Sequence, residues 1–222
     1  MIPKETLEFL KDIKKNNTRE WFLANKKRYD AYKENYHQLA GQLLEAMTHR
    51  DASLGSMTVK DVVFRINRDI RFSKDKSPYK TNMAFWFSPG NKNWNQSGYY
   101  VHVEPGMSFI AGGFYQPDAA QLKKIRREIA FFHDDLQAIL DAPQFKSVFG
   151  DLDRTHVLKT TPKGYEKDHP AIELLKLKSF EASAKLQDKE LMRHDFIAQT
   201  ADKLMLLKPM NGFFDRALAM EE

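Results

Sequence analysis

Apolar residues recur at a three-to-four spacing from the start of the chain. Leu7, Leu10 and Ile13 fall on one side of a helix predicted over residues 3–15. Pro3 suits its first turn, where a backbone N–H has no partner to lose. Asn16 and Asn17 end it. Asn17 or Thr18 then caps a second helix, and Glu20 lies three residues after Asn17, as a capping box requires. Trp21, Asn25, Tyr29, Tyr32, Tyr36, Leu39, Leu43 and Met47 step by three or four as far as about residue 48. They predict one core-facing stripe, with a break near residues 25–27.

The period changes to two after residue 58. Phe64, Ile66, Ile70 and Phe72 alternate with Arg65, Asn67, Asp69 and Arg71, the mark of a strand. Further strands are predicted over residues 80–88, 98–104 and 107–114. Pro105-Gly106 has the residues of a type II hairpin turn. Gly112-Gly113 points to a bulge or a close backbone approach. The loop over 89–97 is polar, with Trp94 inside it. Trp86, between Phe85 and Phe87, belongs to the core.

Asp118 and Gln121 open another helix, with Leu122, Ile125, Ile129, Phe132, Leu136 and Ile139 on its apolar face, ending before Pro143. A short helix over 144–149, a strand within 155–162, a turn at 163–165, a helix over 170–177 and a last strand over 179–186 follow. Asp188 is expected to cap a pair of helices near 189–207 and 209–220. Repeats and proline-glycine-serine linkers are absent. The simplest architecture is one α+β domain over residues 1–222, a mainly antiparallel sheet flanked by N- and C-terminal helices.

Composition narrows the class. With 42% apolar and 29% charged residues in 222, the chain can bury a core without a metal or disulfide. It has no cysteine, which removes disulfides, thiolate metal sites and cysteine nucleophiles. No apolar run nears the ~18–20 residues of a membrane span, and the charged N-terminus lacks a signal-peptide stretch. A soluble, cytoplasmic protein without a membrane partner is expected.

Charge is concentrated. Residues 65–80 hold six cations (Arg65, Arg68, Arg71, Lys74, Lys76, Lys80) against Asp69 and Asp75, which leaves 29 cations and 28 anions elsewhere. Localised positive charge attracts anionic partners. Arginine offers them a planar fork and lysine a mobile point charge. On the predicted strand, Arg65 and Arg71 share the polar face, whereas Arg68 falls among the apolar residues. There an unpaired charge is costly, and Asp75, Glu104 and Asp168 are its candidate partners. The segment contains no glycine and is no P-loop.

Among the seven histidines, none forms a close ligand pair such as HExxH, and no metal site is assigned. His102 alternates with Val101 and Val103, so it shares a face with Tyr100 and Glu104. His169 follows Asp168. Either histidine, given a carboxylate, has the chemistry of a general acid or base. The alternative for each is a hydrogen-bonded structural role. No GxSxG or SxxK motif marks a nucleophile, and catalytic residues and cofactors are unassigned.

Several motifs together resemble a family known as domain of unknown function 2461. They are Asn16-Asn17 before Trp21-Phe22, the run from Arg68 to Lys80, Gly98-Tyr99-Tyr100-Val101-His102 with Pro105-Gly106, Pro162-Lys163-Gly164-Tyr165 with Asp168-His169-Pro170, and Lys178-Ser179-Phe180. The resemblance spans about residues 3–216 and implies one full-length domain without implying an activity. Its motifs and the charge cluster together gather Arg68, Arg71, Lys76, Tyr79, Lys80, His102, Lys163, Tyr165, His169 and Lys178 as a candidate site for a small anionic ligand, phosphorylated ones included. The competing readings are a nucleic-acid binder, using Trp86, Trp94, Tyr99 and Tyr100 as a stacking platform, and a non-catalytic interaction module with an apolar patch around Trp94 or the C-terminal helices.

Overall fold

The computed structural model describes residues 1–89 and 96–219, so Trp94 lies outside the described residues. In chain order they form helices α1 (Lys4–Lys15), α2 (Arg19–Ala24) and α3 (Lys26–Thr48), a 3-10 turn (Ala52–Leu54) and a short α4 (Val59–Val62). Strands β1 (Met83–Phe87), β2 (Gly98–Val103) and β3 (Phe109–Phe114) follow, then helices α5 (Ala119–Asp141), α6 (Pro143–Phe149) and α7 (Ile172–Leu175), strand β4 (Phe180–Lys185), and helices α8 (Asp188–Leu191), α9 (Phe196–Met205) and α10 (Lys208–Ala219). The strands pair antiparallel in the order β1-β2-β3-β4, and the fold class is α+β. Among the described residues no helix is long and apolar enough to cross a membrane. Packing groups the chain into two compact units: Met1–Phe87, Tyr100–Ile110 and Lys185–Ala201 in the first, Ser88–Tyr99, Ala111–Ala184 and Asp202–Glu222 in the second.

In the first unit, Phe9, Leu10 and Ile13 of α1 are buried with Tyr32, Tyr36, Leu39, Leu43 and Met47 of α3, as the periodicity requires. The Phe9 and Tyr32 ring centres lie 4.9 Å apart. The expected break falls at Asn25, which ends α2 and begins α3. Thr18, and not Asn17, caps α2, accepting the Trp21 N–H at 3.2 Å. Asn17 is thereby free to pair its side-chain amide with the Tyr79 backbone, donating to the carbonyl at 2.9 Å and accepting from the N–H at 3.0 Å.

The strand expected over residues 64–72 is not regular. Two isolated bridges, Val63 with Phe85 and Asn67 with Tyr79, replace it. Arg68 N–H donates to Pro78 (2.9 Å) and Lys80 N–H to Ile66 (2.8 Å), so residues 66–68 and 78–80 form the two arms of a short hairpin. Its tip, 69–77, cannot continue the ladder. There Asp69 and Asp75 accept backbone N–H groups two residues on, at Arg71 (3.3 Å) and Ser77 (2.9 Å), the local bonding by which aspartate competes with strand pairing. Phe72, placed on the apolar face by alternation, sits on that tip and is 95% exposed. Gln187, not Asp188, caps α8, and the Asp188 carboxylate instead accepts the Gly106 N–H at 2.8 Å, pinning the β2–β3 turn. The helix expected over 189–207 is interrupted between α8 and α9, where Arg193 and Asp195 form a two-point ion pair at 2.9 and 2.7 Å.

In the second unit, Asp118 and Gln121 form the expected capping box of α5. On the inner side of this helix Glu128, only 2% exposed, accepts from Arg216 of α10 at 2.5 Å. The C-terminal helix buries Met210, Phe213, Phe214 and Ala217. Residues 155–162 form a single bridge, Val157 with Leu177, in place of a strand, because the partner segment turns into α7 after one pairing. At Gly113 the backbone φ is +123°, and a Cβ there would meet the Phe180 carbonyl oxygen at 2.1 Å. The close approach read from Gly112-Gly113 is therefore a contact that admits no side chain. Gly113→Ala is expected to cost about 2–4 kcal/mol, from left-handed strain plus overpacking. Chemical denaturation reads this loss, and an unchanged midpoint would contradict it.

Candidate functional site, a cleft beside the basic hairpin

Three of the six cations that drew attention in the sequence, Arg68, Arg71 and Lys76, are answered inside the hairpin tip. Arg68 donates to Asp75 at 2.5 Å, to the Ser77 carbonyl at 3.0 Å and to the Ser73 hydroxyl at 3.5 Å, so of its three candidate partners the structure selects Asp75. Arg71 forms a two-point pair with Asp69 at 2.9 and 2.6 Å. Lys76 donates to the Ile70 carbonyl at 3.0 Å. Hydrogen bonds from the Ser77 hydroxyl and backbone, followed by that from Arg68, pull the Asp75 carboxyl down to about 2. Tyr79 is a buried anchor: its ring stacks on Phe22 at 4.1 Å while its backbone is held by Asn17.

Lys80 differs. It leaves the hairpin beside a cleft of about 240 Å³ between α3 and the hairpin arms, with its ammonium 5.1 Å from the Phe64 ring centre. Lys33 and His37 face the same cleft from α3, Arg65 from the outgoing arm and Asn82 from the returning arm, while Tyr29, Tyr32 and Tyr36 contribute aromatic walls. Among the described residues no acidic side chain lines it. Its volume is room for about eight waters at ~30 Å³ each. That suits a small molecule rather than a dinucleotide.

One hydroxyl shapes this cleft. Tyr36 donates to the Ala84 carbonyl of β1 at 2.5 Å and accepts the Phe64 N–H at 2.9 Å. It thus ties α3 to both chain segments that lead to and from the hairpin. Burial is the main cause that pushes its phenol up to about 12, so it stays protonated and keeps both bonds throughout the physiological range.

Behind Asn82 lies the His102 cluster. Tyr100, His102 and Glu104 share one face of β2, as alternation predicts. The His102 Nδ1 is 3.3 Å from the Tyr100 hydroxyl and 3.4 Å from the Asn82 amide, and its Nε2 is 3.3 Å from Glu104. The ring stacks on Phe109 at 4.7 Å. Burial lowers the His102 pKa against the opposing pull of Glu104, so the ring is neutral near pH 7. Burial would raise Glu104, but hydrogen bonds from Lys14 (2.8 Å), His102 and Thr81 (3.1 Å) outweigh it and hold the carboxyl low. A neutral imidazole between an anionic acceptor and two donors is fixed with its proton on Nε2. Both ring nitrogens are engaged by the protein, which makes His102 a support for Asn82 and not an exposed base.

The other predicted residues lie in the second unit. Lys163 and Tyr165 line a groove along α5 with Lys123, Arg126, Arg127 and Phe131. His169 accepts the Ala171 N–H on Nδ1 at 3.0 Å, a local cap before α7, and stands edge-on to Tyr165 and His133. Lys178 is exposed, and its backbone N–H donates to the His156 carbonyl at 2.9 Å.

Of the predicted set, then, Lys80 lines the cleft, His102 reaches it through Asn82, Tyr79 anchors its hairpin, and Arg68, Arg71 and Lys76 hold the hairpin tip. Sequence reasoning missed Lys33, His37 and Asn82, and it left Arg65 out of the site. The readable signal was a second stripe on α3: Tyr29, Lys33 and His37 lie four residues apart beside the buried tyrosines.

These motifs and their arrangement agree with the comparison to known families. The model described as Conserved hypothetical protein (DUF2461) matches residues 5–213. The chain belongs to this family. No match was found among curated proteins or solved structures.

Two outcomes follow. Tyr36→Phe removes the bonds its hydroxyl makes to the Phe64 N–H and to the buried Ala84 carbonyl and is expected to cost about 1–3 kcal/mol, read by denaturant unfolding; a neutral substitution would contradict this role. Ser77→Ala removes the foremost cause of the low Asp75 pKa. The Asp75 carboxyl carbon, followed by NMR against pH, should then titrate nearer to an ordinary aspartate. Because that pKa is depressed on folding, the stabilisation is present above pH ~4 and is lost as pH falls toward about 2.

Proposed function

We propose that this protein binds a small anionic ligand, one carrying a phosphate or carboxylate, in the cleft between α3 and the basic hairpin. The supporting observation is the cleft lining: Lys33, Arg65 and Lys80 converge on it, and no acidic side chain among the described residues does so. Arg65 supplies a fork for a tetrahedral or planar anion, and the two lysines supply point charges. Asn82, held by His102, adds an amide that recognises a neutral polar group. The tyrosine walls favour a ligand with an apolar or ring portion beside its charge. The hairpin tip engages Arg68, Arg71 and Lys76 within itself, and its role in this reading is to hold Arg65 and Lys80 at the cleft mouth.

A thermal-shift series against inorganic phosphate, small phosphate esters and dicarboxylates tests it. A ligand that prefers the folded chain stabilises it by about 2.7 kcal/mol at one hundred times its Kd. The melting temperature should rise with at least one of these anions. The rise should vanish in Arg65→Ala/Lys80→Ala and persist in Arg71→Ala. No shift for any anion at millimolar concentration, or an undiminished shift in the double variant, would refute the assignment.

A further inference from the structure

His37 differs from the other residues that line the cleft beside the hairpin. It lies one helical turn beyond Lys33 on α3, so both side chains leave the same face of the helix. Its ring stands edge-on to that of Tyr36, with the centres 6.1 Å apart. Among the described residues neither of its nitrogens is engaged in a hydrogen bond. His102 is the opposite case, with both nitrogens taken. His37 is also exposed, so burial in the core does not account for its place at the cleft.

The lining around it reaches the cleft from three chain segments. Lys33 comes from α3, Arg65 from the outgoing arm and Lys80 from the returning arm. Groups that enter from three directions suit an anion whose oxygens also diverge. A phosphate carries three terminal oxygens in a tetrahedral array, whereas a carboxylate offers two in one plane. Lysine and arginine ordinarily keep their charge between pH 5 and 8, and imidazole changes its charge there. Burial raises the phenols of Tyr29, Tyr32 and Tyr36, so these walls stay neutral over the same range. Among the described residues, α1, α2, α4 and β1 add no titratable side chain to the lining, and Glu34, three residues before His37, lies outside it. His37 is therefore the lining side chain that adds positive charge as pH falls through neutrality.

We infer that the cleft takes a tetrahedral dianion, the phosphate of a monoester or free phosphate, and that His37 is its proton-linked contact. This rests on the proposed anion site and adds the ligand's charge and geometry and the residue that tunes its affinity. The protonated ring donates to one ligand oxygen while Lys33 and Arg65 hold the others. Protonation of His37 favours the anion, and the bound anion favours protonation of His37 by the same factor, so affinity rises as pH falls. A neutral imidazole still has one N–H to donate, so binding weakens at high pH and is not abolished.

Isothermal titration calorimetry with sulfate, at constant ionic strength, tests it. Sulfate stays a tetrahedral dianion throughout the range, so any proton taken up on binding belongs to the protein. Its affinity should rise about tenfold from about pH 8 to about pH 5.5. His37→Gln keeps a hydrogen-bond donor without a titrating charge, and its profile should be flat at the affinity the wild type shows at high pH. His49→Gln, at an exposed histidine outside the cleft, should keep the wild-type profile. Acetate should bind more weakly than sulfate. Phenyl phosphate binding more tightly than inorganic phosphate assigns an ester with its ring on the tyrosine wall, and the reverse order assigns free phosphate. Sulfate affinity that ignores pH, a pH dependence that survives in His37→Gln, or acetate bound as tightly as sulfate overturns this inference and leaves the anion site standing. No binding of any of these anions at any pH overturns both.

Discussion

The Tyr36 hydroxyl is the contact on which the first unit turns. It is a buried phenol that gives one hydrogen bond to β1 and takes one from the chain entering the hairpin. Both partners are backbone groups, so the bond fixes main chain to α3 whatever the neighbouring side chains are. Around it, the Phe9, Phe22, Tyr29 and Tyr32 rings form a contiguous cluster, with centroid spacings of 4.7 to 6.2 Å. Asn17 and Phe22 hold the returning arm through Tyr79. The hairpin is thus gripped on both arms, and its position determines where Arg65 and Lys80 stand.

Charge density along the sequence and convergence of charge in space turn out to be different quantities. The densest run of cations contains its own aspartates at the spacing an Asx turn uses, and three of its basic side chains are satisfied within a few residues. Where basic groups converge on open space, they come from distant parts of the chain: Lys33 with Arg65 and Lys80 in one unit, Lys123 and Arg127 with Lys163 in the other. A lining without acidic side chains among the described residues is a property of the surface, and only the fold assembles it.

Helical periodicity was readable because a buried face repeats every three to four residues whatever its distant partners, and so α1, α3 and α5 appear near their expected limits. The strands β1, β2 and β3 were readable for a similar reason, helped by Pro105-Gly106 and by the glycine pair that lets Phe180 approach. Alternation misled at residues 64–72, where Asp69 and Asp75 bond locally and leave Phe72 in solvent. The cleft was half legible. Lys80 carried a charge signal, but Lys33 and His37 look like ordinary solvated helix residues until the hairpin is laid across them. His102 was correctly grouped with Tyr100 and Glu104, yet only the structure shows that both its nitrogens are already used.

On the proposed reading, an external anion rests in the cleft beside Tyr36 and not on the hairpin tip. A crystal structure of the chain grown in inorganic phosphate tests this most directly. Tetrahedral density is expected within hydrogen-bonding distance of Arg65 and Lys80, with Asp69 and Asp75 still paired to Arg71 and Arg68. Phosphate seated on Arg68 and Arg71 with those pairs broken, or a cleft holding only water at saturating phosphate, would contradict it.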